Sequence, residues 1–191
     1  ESNRKLMLSA LAQLDRPELQ KYRTLFDAVD YILFFDQGYS GGFAHSFEFQ
    51  GRVVRIIAVD IGFVQQRSGV LPPMKGVPQD TPANRFLNCA LHEARHMTND
   101  KQGLLDRIRV HADRRALDES LAYQTTWELE RDLGYPEREW VRFRWISDHL
   151  RSPARLRNPV YRTWSVGYLI PTETDKPLNA AYEALKKEGL E

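Results

Sequence analysis

From Pro17 onward, apolar residues recur at spacings of three and four, at Leu19, Tyr22, Phe26, Val29 and Leu33. This predicts an amphipathic helix with proline in its first turn. Residues 3–14 predict a shorter helix before it. The period changes after the breaker run Gly38-Tyr39-Ser40-Gly41-Gly42. Phe43, Ser46-Phe47 and Phe49 approach alternation, Gly51 supplies a turn, and residues 53–64 are β-branched and apolar. An antiparallel hairpin is the expectation.

Residues 65–80 carry Gly69, Pro72-Pro73, Gly76 and Pro78, a loop long enough to suggest a functional role. Thr81-Pro82 then offers a helix cap followed by proline at the first helical position. The helix it starts is expected to run to about Asn99, with Phe86, Leu87, Ala90, Leu91, Ala94 and Met97 as its apolar side. A long helix fits 111–133, stopped by Gly134 and Pro136. Helical stretches at 137–150 and 177–188 flank an irregular segment with Pro153, Pro159 and Pro171. No repeat, low-complexity tract or linker divides the chain, so one α+β domain over 1–191 is predicted.

Composition narrows the function classes. The chain is 42% hydrophobic and 28% charged, enough apolar material for a packed core. Its net charge of +1, from 27 basic against 26 acidic side chains, gives no overall field for nucleic acid or anionic membrane. Apolar runs such as residues 31–35 fall far short of the ~18 residues that cross a bilayer, so no membrane span is expected. A single cysteine, Cys89, excludes both an intramolecular disulfide and a cysteine-built zinc site; it reads as a small packing residue. Because the chain opens on Glu1 rather than Met, an upstream segment is expected to have been removed, which favours export.

The chemistry lies in His92-Glu93-Ala94-Arg95-His96, an H-E-x-x-H match on the 82–99 helix. Histidines four apart stand one turn above each other on one face and can close on one Zn²⁺. Glu93, next to them, can accept a proton from a zinc-activated water and pass it to a leaving amine. With 5 histidines in 191 residues, chance placement gives only about 0.01 such matches per chain. The preceding hairpin offers its last strand as an edge for pairing with a peptide or protein substrate.

A peptidase site needs a third ligand and an open fourth position. The metzincin continuation requires glycine at 99 and histidine at 102, and the chain has Asn99 and Gln102. Downstream, Leu117-Asp118-Glu119-Ser120-Leu121-Ala122-Tyr123 places carboxylates on the next helix. With these residues the chain resembles a gluzincin-type zinc metallopeptidase, in which two helices supply H-E-x-x-H and then a Glu. The resemblance spans roughly residues 43–134. It implies a zincin-like fold, with a small, mostly antiparallel sheet packed on the H-E-x-x-H helix and a helical C-terminal half. It also implies zinc held by His92, His96 and Glu119, with Glu93 as general base. The chain departs from the family at Tyr123, where an Asp supporting a zinc-bound His is usual and a phenol can serve similarly. It departs again at Arg95, where an uncharged residue is usual. On a helical wheel Ala112, Ala116, Glu119 and Tyr123 fall within about 60° of one another. This favours Glu119 as ligand over His111, Asp113 and Asp118; Asp118 is expected in a surface ion pair with Arg114 or Arg115.

Other features have plainer readings. Gly38-Tyr39-Ser40-Gly41-Gly42 matches the G-x-S-x-G nucleophile elbow, but an elbow leads into a helix and the residues after it read as a strand. Arginines and aromatics interleave over 138–164, a mixture that stacks bases or packs a small core with a charged rim. This segment carries the alternative function, an inactive zincin scaffold docking a partner or nucleic acid. His149, Tyr161 and Tyr168 are the candidates for stabilising an oxyanion. His45 and His111 read as surface or capping residues.

Overall fold

The computed structural model describes residues 2–37, 41–65, 80–106 and 111–151. The loop at 65–80 apart from its two ends, Ser40, the 177–188 helix, Tyr161, Tyr168 and prolines 153, 159 and 171 lie outside them, as do the side chains of His111, Asp113 and His149. The described elements are α+β, mostly helical, with one small mixed sheet.

Helix α1 spans Ser2–Ala12 and is followed by 3-10 turns at Gln13–Asp15 and Gln20–Ala28. The second 3-10 segment replaces the predicted start of an amphipathic helix. Its buried side chains, Tyr22, Leu25 and Ala28, with Leu19 just before it, are spaced strictly by three, the 3-10 period rather than the α period. Val29 is extended, and Tyr31–Phe35 forms strand β1 where the sequence suggested continued helix. That apolar run is β-branched and aromatic, and its spacing from Phe26 only mimicked a helical stripe.

Strands β2 (Gly42–Phe49) and β3 (Arg52–Asp60) form the expected hairpin. Gln50 and Gly51, at φ 50° and 74°, make the two-residue turn whose left-handed residues match strand twist. β3 is central: it pairs antiparallel with β2 and parallel with β1. The sheet is therefore mixed rather than mostly antiparallel, and its edge beyond the hairpin is β2, not the last strand. β3 also stops earlier than predicted. Buried Asp60 accepts from the amides of Gln37 at 3.1 Å and Phe63 at 3.2 Å, capping the short helix α2, Ile61–Gln65.

Helix α3 runs Pro82–Lys101, with the Thr81 side chain accepting from Asn84 N at 3.2 Å. Phe86, Leu87, Ala90, Leu91 and Ala94 pack it against Ile57 and Val59 of the sheet, α1 and the 3-10 segment. Helix α4 spans His111–Asp132 and ends at Gly134, φ 82°. There Tyr135 N donates to Glu130 O and Gly134 N to Arg131 O, a Schellman closure. Helix α5, Glu137–Leu150, packs on α4 through a second apolar cluster that includes Leu117, Leu121, Ile146 and Leu150. No helix among the described residues is long and apolar enough to cross a membrane.

Candidate metal centre

The site is built where α3 and α4 lie antiparallel. Along that contact several of the facing side chains are polar. Asn88 Nδ2 donates to Glu130 Oε1 at 2.8 Å, His92 Nδ1 meets Thr126 Oγ1 at 3.1 Å, and Asn99 Nδ2 donates to Asp118 Oδ1 at 2.7 Å. Asn99, Thr126 and Glu130 are buried.

In the middle of this polar seam the structure brings together His92, His96 and Glu119. Glu119 Oε2 stands 3.6 Å from His92 Nε2 and 4.0 Å from His96 Nε2. The two imidazoles lie 5.1 Å apart, nearly perpendicular. One ligand atom from each of the three residues falls within 4.8 Å of the others. Tetrahedral zinc with bonds near 2.0–2.1 Å separates its ligand atoms by about 3.3 Å. The two distances from the Glu119 oxygen exceed that spacing by less than an ångström, and the two nitrogens and one carboxylate oxygen are a donor set that suits zinc.

Each of the two histidines is backed by a second group. Asp118 Oδ2 lies 2.8 Å from His96 Nδ1, close but off the N–H axis, so charge attraction rather than a straight hydrogen bond holds the pair. Sequence reading placed Asp118 in a surface ion pair. The structure instead turns it toward α3, between His96 and Asn99. His92 Nδ1 meets Thr126, while Tyr123, expected to support one of the histidines, meets the His92 imidazole edge to face with its ring at 4.9 Å. Thr126 was legible in principle: it lies seven residues beyond Glu119, on the same helical stripe.

Electrostatics follow from this crowding. Burial works against a charge on His96, yet the Asp118 contact, with Glu119 and Glu93 behind it, lifts its pKa to about 9. Burial would also raise Glu119, but the two histidines hold its carboxyl below the usual range. Glu93 is buried and its carboxyl is pushed up by desolvation, against the pull of His92 and His96. It extends from α3 toward Gly42, the first residue of β2. A β-carbon built on Gly42 would lie 3.1 Å from Glu93 Cγ. Arg95 is half-buried along the same helix, where desolvation lowers its pKa against the attraction of Glu128 and Asp118.

Of the remaining candidates, the residues before the glycine run form β1 and those after it form β2, which is not the strand-to-helix path of a nucleophile elbow. In the described part of the Arg/aromatic segment, Trp140 meets Trp127 at 6.0 Å and the Arg144 guanidinium lies over Trp127 at 5.6 Å. His45 is exposed on β2 beside Phe47. Cys89 is partly buried against the main apolar cluster, with its Sγ 3.2 Å from where a Gly41 β-carbon would stand, consistent with a packing role.

Comparison with protein-family models, curated proteins and solved structures gave no match.

Proposed function

We propose that the chain is a zinc-dependent hydrolase of peptide bonds, a zincin-like, gluzincin-type metallopeptidase. The carrying observation is the convergence of His92 Nε2, His96 Nε2 and Glu119 Oε2 across an antiparallel helix pair, with buried Glu93 beside them. His92, His96 and Glu119 would hold the metal. Bound zinc supplies Lewis acidity, acidifying a water and polarising a carbonyl. Glu93, its carboxyl raised by burial, is the base that takes the proton from the attacking water and delivers it to the leaving nitrogen. β2 lies at an edge of the sheet, and Gly42 brings its start against Glu93. An extended peptide laid along that edge by strand addition would pass the base.

Elemental analysis of purified protein should give one zinc per chain, and His92→Ala or His96→Ala should abolish it, because a broken chelate loses its affinity. Unchanged metal content in both variants would eliminate this function. Glu93→Gln should keep zinc but lose at least about 100-fold in peptide hydrolysis, since an amide cannot accept the proton. Full activity in that variant would place the base elsewhere.

A further inference from the structure

We infer that Thr126 is the positioning residue of His92: its hydroxyl fixes the tautomer and ring orientation that present Nε2 to the metal. The inference rests on the zinc-site reading above.

The argument starts from hydrogen counting. A threonine hydroxyl has one hydrogen and two acceptor positions. Thr126 Oγ1 donates to Ala122 O, one turn back, at 3.2 Å. Its remaining capacity is as an acceptor, and His92 Nδ1 lies 3.1 Å from it. The proton of a neutral His92 therefore belongs on Nδ1, which leaves the Nε2 lone pair facing Glu119 Oε2 at 3.6 Å. A metal ion placed between them would take that lone pair and the carboxylate oxygen as two of its ligands. The Tyr123 ring, edge to face at 4.9 Å, adds a packing contact to the same imidazole.

The two histidines are thus supported differently. His96 is backed by an anion, Asp118, itself held by Asn99. His92 is backed by a neutral hydroxyl in a buried position. Removing that hydroxyl leaves the charge of the site unchanged and releases only the ring. Thr126 and Glu119 also share one stripe of α4, so the helix that carries a ligand carries the orienting group for another.

The test is zinc affinity measured by competition with a chromophoric chelator, together with the visible spectrum of the cobalt(II) form. Thr126→Val keeps the side-chain shape without the hydroxyl. It should weaken zinc binding by about 10–100-fold, the usual cost of losing such a partner, and alter the cobalt spectrum. Thr126→Ser should restore both. Thr125→Val makes the same exchange at the neighbouring buried threonine, whose hydroxyl bonds Leu121 O, and should leave both unchanged. If Thr126→Val does not fold by circular dichroism, Thr126→Ala takes its place with the same expected loss. Wild-type affinity and an unaltered cobalt spectrum in the folded variant would overturn the role of Thr126 while leaving the zinc site standing. Absence of zinc binding in the wild-type chain would overturn both.

Discussion

At Gly42 the chain has no room for a β-carbon. One built there would stand 2.5 Å from the Ala58 carbonyl oxygen, besides crowding Glu93 Cγ. The first contact is with backbone inside the sheet, and the second is with the proposed base, so neither can yield without moving the site. Gly42→Ala should destabilise the fold by about 1–3 kcal/mol, the range for overpacking. It should also reduce hydrolysis while leaving zinc bound, since His92, His96 and Glu119 lie on α3 and α4. Urea unfolding and metal analysis of the same preparation separate the two effects. Wild-type stability and turnover would show that Glu93 does not depend on this close approach. Nothing in the sequence distinguished Gly42 from its neighbours in the glycine run; only the folded path of β2 over α3 does so.

The elements differ in how openly the sequence announced them. α3 was legible because a capping threonine, a proline and a broad apolar face agree, and α4 and α5 because glycine and proline separate two helical patterns. β1 was hidden because five apolar residues serve a strand or a helix equally well, and parallel pairing with β3 decides between them only in three dimensions. That His92, His96 and Glu119 could meet was readable from spacing on two helices, whereas the places of Asp118, Asn99 and Thr126 required knowing how those helices cross. One long-range tie illustrates such a crossing. Tyr22, in the 3-10 segment, donates to Asp132 Oδ2 at the end of α4 at 2.8 Å. Burial would raise the Asp132 carboxyl, but Lys21, Tyr22 and Arg131 hold it below the usual range. Tyr22→Phe should cost about 1–2 kcal/mol at neutral pH, as expected for a hydrogen bond to a charged acceptor. A depressed carboxyl stabilises the fold above its unfolded pKa and loses that contribution as pH falls through the folded value. The difference between variant and wild type should therefore shrink below about pH 4. A difference that persists undiminished to pH 2, read by denaturant unfolding, would show that the ring's packing rather than the ionised acceptor matters.

On the scale of the whole molecule, the polar seam separates two apolar clusters of unequal size. Among the described residues the larger joins α1, the 3-10 segments, the sheet, α2, α3 and the C-terminal end of α4. The smaller has six buried residues, Leu105, Ala116, Leu117, Leu121, Ile146 and Leu150. His92 and His96 stand on the helix at the heart of the first, and Glu119 lies among the residues of the second. A zinc ion shared by the three would bind the small cluster to the large one. At a free zinc concentration 100 times Kd, binding to the native state alone adds about 2.7 kcal/mol. For a chain of this length that corresponds to roughly 5–10 °C in Tm. His92→Ala at the same zinc concentration should show no such shift. The gain should also be unevenly distributed, because local opening begins where the fewest apolar contacts must break. On chelation, amide exchange should accelerate most over the N-terminal half of α4 and over α5, and least at Phe86–Leu91 of α3, whose contacts lie in the larger cluster. Uniform acceleration along the chain, or protection unchanged by zinc at Ala116–Leu121, would mean that the seam holds the two clusters together without a metal.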